Sequence, residues 1–166
     1  NDTLVSRIID RALRPLFTNG YFDQIQLTAT THAIDGINDP IPLAVNASSM
    51  ALLRAGVPWN GPIGCVRIGI INGDDIIVNP TLDEMKKSDL DLLYVGTKND
   101  PIMLECEANE VPEDIIKKAM KLAQEEVANI VKTQEIFKLQ EPKENLINIE
   151  LIADEDIIKD SIKNIK

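Results

Sequence analysis

The chain has 166 residues, 44% of them hydrophobic, and a formal charge of -10. That length can bury a real core and suggests one domain with appendages. One histidine, His32, and two cysteines, Cys65 and Cys106, argue against a His-based triad, a zinc site or a disulfide frame, and no apolar run is long enough to span a bilayer.

The charge is unevenly placed. Residues 1–70 hold five acids and five arginines, whereas residues 71–166 hold twelve lysines against twenty-two acids, which accounts for the whole -10. The first part can bind an anion. The second repels one and reads as a solvated shell or partner surface.

A helix is expected from Thr3 to Pro15, with Thr3 as its cap and Pro15 pushing Arg14 toward extended backbone. Leu4, Ile8, Ile9 and Leu13 give it apolar contact. Arg7, Arg11 and Arg14, at i, i+4 and i+7, share one stripe. Asn19-Gly20 marks a turn. Asp23 to Thr30 alternates polar and apolar residues as a half-buried strand does. Small apolar residues from Pro42 to Ala55 predict a buried helix, ended by Gly56-Val57-Pro58. Val66–Ile71 and Ile76–Val78 around Asn72-Gly73 predict a hairpin. Pro80 to Lys87 is a polar connection with room for one helical turn. Leu90–Val95 and Ile102–Ala108 predict two further strands, the second with Ile102, Leu104 and Cys106 inward. Both cysteines read as buried thiols of a reducing compartment. A long amphipathic helix follows from Pro112 to Leu139, its stripe running Ile115, Ile116, Ala119, Met120, Ala123, Val127, Ile130 and Val131. Asp154–Lys166 reads as a further helix. The expected organisation is a domain over 1–140 and the start of a helical linker over 141–166.

Three constellations can carry chemistry. The stripe of Arg7, Arg11 and Arg14 presents planar, permanently charged forks suited to phosphate oxygens, or a solvated face paired with Asp10 and nearby acids. Asp83 and Asp89 end a short connection and could share a hard divalent cation, or belong to an ordinary acidic loop balanced by Lys86 and Lys87. Trp59-Asn60-Gly61-Pro62-Ile63-Gly64 offers a stacking ring beside accessible backbone, or a tight connection with a core tryptophan. His32 reads as structural, Tyr94 and Met103 as core.

The run Ser6-Arg7-Ile8-Ile9-Asp10-Arg11-Ala12-Leu13-Arg14-Pro15-Leu16-Phe17 resembles the first ribonuclease-PH-type domain of the polynucleotide phosphorylase family. Ala55 to Gly64, then Val78-Asn79-Pro80-Thr81, then Leu90-Asp91-Leu92 with Val95-Gly96-Thr97 follow in that family's order, so the resemblance covers residues 4 to about 135. It implies an α/β (α+β) fold of ribonuclease-PH type, with helices packed on a mixed sheet and incomplete at its N-terminus, where Asn1-Asp2-Thr3 reads as a cut within a larger protein. It implies 3′→5′ phosphorolysis of RNA, in which inorganic phosphate releases nucleoside diphosphates, and the reverse polymerisation. The partners it implies are RNA and a homotrimeric ring without a membrane, in bacterial cytoplasm or an organellar matrix. A divalent metal, Mg or Mn, would serve the intact enzyme and not this segment.

The sequence departs from the family's active pattern. A serine-rich phosphate turn is replaced by Asn38-Asp39-Pro40-Ile41-Pro42, where Asp39 would repel phosphate and the prolines remove donors. Asp83 and Asp89 keep only the six-residue spacing of two active-copy aspartates and read as vestigial. The expected role is therefore RNA guidance and ring assembly in a degenerate first domain, with Arg7, Arg11 and Arg14 carrying it and the fragment alone inactive. The alternatives are a non-catalytic scaffold subunit of an exosome-like ring and a protein sharing only the fold.

Overall fold

The computed structural model describes residues 2–18, 21, 24–71, 73 and 75–139. Its sheet contains β1 (Gly64–Ile71), β2 (Asp75–Val78), β3 (Leu90–Gly96) and β4 (Pro101–Ala108), in the order β2-β1-β3-β4. The sheet, expected to be mixed, is antiparallel in all three described ladders. The helices are α1 (Asp2–Leu13), α2 (Pro40–Ala55), the single turn α3 (Leu82–Met85) and α4 (Glu113–Leu139).

Register assigns the two faces of the sheet. Cys65 pairs with Val95 and Val95 with Met103, and this face meets Ile8, Ala12 and Leu13 of α1 and Val45 and Leu52 of α2. Val66, Ile68, Leu92 and Tyr94 occupy the other face, under Ala119, Ala123, Val127 and Val131 of α4. The result is three layers with the sheet between helices. Central strands buried on both sides read as unbroken apolar runs, which is why β1 and β3 are so apolar. Gly64 lets α4 approach: a Cβ there would lie 3.0 Å from the carbonyl oxygen of Val127.

Local signals set the helix ends. Asp39 accepts the backbone N–H of Ile41 and caps α2, with Pro40 in its first turn, where a missing N–H costs nothing. Gly56 ends the helix at φ +67°, a conformation that glycine adopts without a Cβ clash. Thr81 and Glu84 close α3 with a reciprocal capping box, as that spacing favours.

Several expectations need correction. Arg14 is not extended: residues Arg14–Leu16 form a 3-10 turn on the end of α1, because the fixed φ of Pro15 also suits the start of a new turn. Leu4 is exposed. Residues 24–30 form no strand; Leu27 packs on the first core while Ile25 stays exposed. Period-two alternation encodes a face, but a strand also needs a ladder, and none pairs with this segment among the described residues. In β4, Met103 is buried while Leu104 and Cys106 are exposed. Strand β4 is an edge, α4 lies over β1 and β3, and the register shifts at Val95/Gly96. Leu104 and Cys106 thus lie on the α4 side of the sheet without the cover that α4 gives its centre. The α2 helix buries one face only, leaving Leu43 exposed. The hairpin is present, with Ile71 paired to Asp75 at its closed end. The α4 stripe is as expected, with the addition of buried Gln134. The Asn19-Gly20 turn, the 141–166 linker and the Asp154–Lys166 helix lie outside the described residues.

Candidate nucleic-acid interface

Arg7 and Arg11 lie on α1, and Arg14 opens the 3-10 turn; all three are exposed. The buried residues Ile8, Ile9, Ala12 and Leu13 turn the opposite side of α1 into the core, and this leaves the guanidinium groups in solvent. Arg11 Nη1 donates to Glu105 Oε1 of β4 at 2.7 Å, with 59% and 36% of the side chains exposed. Arg14 donates to both oxygens of Asp10, at 2.6 and 3.1 Å. That hydrogen-bonded pair, and then the charge of Asp10, raises the Arg14 pKa above its ordinary value. Arg7 has no ion-pair partner among the described residues. The expected pairing with Asp10 is present at Arg14, whereas Arg11 meets Glu105 from a distant strand and not an acid nearby in sequence. All three groups nevertheless remain accessible, and exposed pairs of this kind exchange readily with other anions.

A second charged cluster was not singled out from the sequence. Arg67 of β1 donates through Nε and Nη2 to the two oxygens of Asp91 on β3, at 2.7 and 2.5 Å, and through Nη1 to Asp39 at 2.5 Å. The register explains the geometry. Gly69 pairs with Asp91 and Arg67 with Leu93, so Arg67 and Asp91 are diagonal neighbours on the α2 side of the sheet. Asp39 reaches the same fork from the start of α2. Its carboxylate therefore serves the helix N-terminus and the guanidinium together. The interaction with Asp91, and then that with Asp39, raises the Arg67 pKa against the opposing effect of burial. A cleft of about 220 Å³ opens beside the cluster, lined by Asn38, Pro42, Asn46, Arg67 and Asn79. The readable signal was a lone arginine inside an apolar strand, which must find a partner when it is carried inward.

Asp83 and Asp89 each have a different partner within the chain. Asp83 is exposed and bound to Lys86 Nζ at 2.8 Å, and that contact holds its carboxyl below the usual aspartate range. Asp89 accepts from Asn109 at 3.4 Å, while its backbone carbonyl takes the N–H of Asn109. Among the described residues no group of three or more His, Cys, Asp or Glu side chains could hold a metal ion. In this structure Asp83 contacts Lys86 and Asp89 contacts Asn109, and the two aspartates are not joined by further acidic or histidine side chains among the described residues.

Trp59 bridges to Phe17 and stacks against it, with ring centroids 6.3 Å apart, and its ring lies against Gly61. It packs on the first core, so its face serves the connection between α2 and β1 rather than a base. His32 is exposed in an irregular segment, not at a strand end. Buried Ser49 and Gln134 were also missed. Ser49 donates to Gln134 at 2.7 Å and accepts the N–H of Ile63, and Gln134 donates to the carbonyl of Ile63. This knot joins α2, α4 and the lead-in to β1.

Comparison with known proteins adds to this geometry. Residues 1–58 match the model described as 3′ exoribonuclease family, domain 1, and residues 61–126 match domain 2 of the same family. The two stretches share the first core, which joins α1 and α2 to β1, β3 and β4. A polyribonucleotide nucleotidyltransferase of Methylacidiphilum infernorum is 43% identical over 151 residues, covering 90% of this chain and 21% of that protein. One from Zymomonas mobilis is 44% identical, over 79% of this chain and 17% of that protein. The mitochondrial polyribonucleotide nucleotidyltransferase 2 of Arabidopsis thaliana is 42% identical, over 80% and 13%. The chain thus spans about a fifth or less of the length of these curated relatives. Rice Rrp46 shares the fold at a TM-score of 0.56 and 16% identity, over 63% of this chain and 50% of that one.

Proposed function

The chain belongs to the 3′ exoribonuclease family, and on that premise we propose that it is the RNA-guiding, catalytically degenerate first unit of a polynucleotide phosphorylase. In the whole protein, inorganic phosphate attacks the last phosphodiester at an RNA 3′ end. The P–O bond to the shortened strand breaks, and a nucleoside diphosphate leaves. This unit contributes the approach path and a surface for ring assembly as a homotrimer.

The observation that carries the reading is the exposed arginine row on a chain of net charge -10. Along a helix axis, i and i+4 are about 6 Å apart, a span comparable to successive phosphates of an extended strand. Sequence-independent contacts to phosphate are what a guiding surface needs, because they position RNA without reading it. The Asp39–Arg67–Asp91 cluster supports degeneracy. An attacking phosphate would meet two carboxylates already on the one guanidinium there. The relatives, polyribonucleotide nucleotidyltransferases by name, support the reaction class.

The test is Arg11→Glu in the full-length protein. Processivity on long RNA should fall more than phosphorolysis of a short oligonucleotide. Equal loss on both substrates refutes the guiding role.

A further inference from the structure

The three arginines are unequal in a way that the helical spacing does not reveal. Arg7 has no ion-pair partner among the described residues, while Arg11 and Arg14 each hold a carboxylate. The two carboxylates differ in origin. Asp10 lies one turn before Arg14 on the same helix. Glu105 reaches Arg11 from β4, ninety-four residues along the chain.

Resting on the RNA-guiding reading above, we propose that Glu105 and Asp10 are built-in counter-ions that compete with RNA phosphate for Arg11 and Arg14 and so set the strength of the grip. A carboxylate and a phosphodiester both satisfy a guanidinium fork, so only one can hold it fully. A displaced carboxylate stays beside the phosphate and repels it, and exposed Glu107, two residues along β4, adds to that field. Each acid therefore weakens binding twice. Arg7 is the standing contact, and the other two arginines engage only against resistance. A surface along which a strand must advance gains from such moderation, because every phosphate contact must break at each step. The pairs also orient the side chains before RNA arrives. Orientation alone would make the acids strengthen binding. The exposure of both partners in each pair favours competition, since solvent screening makes the pairs easy to displace.

The experiment measures binding of a labelled oligoadenylate by the full-length protein across ~50 to ~200 mM salt, without phosphate. Glu105→Gln should tighten binding about two- to fivefold and steepen the log–log salt slope by about 0.7, one phosphate contact on a single strand. Asp10→Asn should move both in the same direction. In an Arg11→Gln background the gain from Glu105→Gln should vanish, because the acid acts through that guanidinium. Unchanged or weaker binding by Glu105→Gln and Asp10→Asn, or a gain that persists without Arg11, overturns the proposal. The combined Arg7→Gln, Arg11→Gln, Arg14→Gln variant separates the two levels. If it loses affinity while the acid variants gain none, the guiding surface stands and the counter-ion role falls. If it binds as the parent does, the RNA-guiding reading itself fails.

Discussion

Arg67→Met is the most informative perturbation of the fold. The guanidinium makes three charged hydrogen bonds, two to Asp91 and one to Asp39. Its side chain is 22% exposed, against 8% for Asp39 and 32% for Asp91. Removing it strands two carboxylates near each other, one almost without water. Breaking a buried pair from one side costs about 3–5 kcal/mol. The partial exposure of Asp91 moves the expectation to the lower end, about 3 kcal/mol. For a chain of this size that lowers the melting temperature by roughly 6–12 °C. Asp39→Asn keeps a side-chain oxygen for the N–H of Ile41 and should cost less, about 1–2 kcal/mol. The double variant should be milder than the sum by at least ~1 kcal/mol, because no lone charge is left at the start of α2. Urea unfolding of the parent, both single variants and the double variant measures all four corners. A loss under ~1 kcal/mol for Arg67→Met, or strict additivity, refutes the account of a mutually dependent cluster.

Thiol chemistry should separate the two cysteines. Burial holds Cys65 as a thiol, its pKa pushed up to about 12, while Cys106 is exposed on β4. An alkylating reagent at mildly alkaline pH should modify Cys106 in the folded chain and Cys65 only after unfolding; equal rates would contradict the strand assignment. Gln134→Met should cost about 2–4 kcal/mol in a denaturation series, because it leaves the Ser49 hydroxyl proton and the Ile63 carbonyl without their partner in the interior, and Ser49→Ala should not recover that loss, because the buried N–H of Ile63 then loses its acceptor. Glu84 accepts the Thr81 N–H and hydroxyl, and these bonds hold its carboxyl below the ordinary glutamate range. Its contribution is complete above that ordinary value and is lost as pH falls through the lower folded value. Glu84→Gln should therefore flatten the melting temperature against pH on the acid limb that starts at the ordinary glutamate value, and an unchanged acid limb would exclude the capping box as its source.

Much of this architecture was legible in order along the chain. The α4 stripe, the end of α2 at Gly56 and the apolar runs of β1 and β3 follow from spacing and side-chain chemistry alone. So does the presence of Arg7, Arg11 and Arg14 on one exposed side, since burial of Ile8, Ile9, Ala12 and Leu13 leaves them no other. Several statements that needed a neighbour failed. Gln24 to Thr30 alternates as a strand does and pairs with nothing described. Cys106 has the surroundings of a core residue and sits on an uncovered edge. Asp39 read as a group that would repel phosphate, yet its charge is matched by Arg67 from twenty-eight residues away.

The sequence by itself determined the periods, the helix ends and the charge that each segment carries, because these rest on backbone conformation and on residues within a turn or two. Only the tertiary structure decided which acid each arginine meets. Arg11 finds Glu105 across ninety-four residues and Arg67 finds Asp39 and Asp91 from two different elements. An ion pair depends on distance in space, and spacing along the chain does not encode that distance until sheet register and helix packing have fixed it.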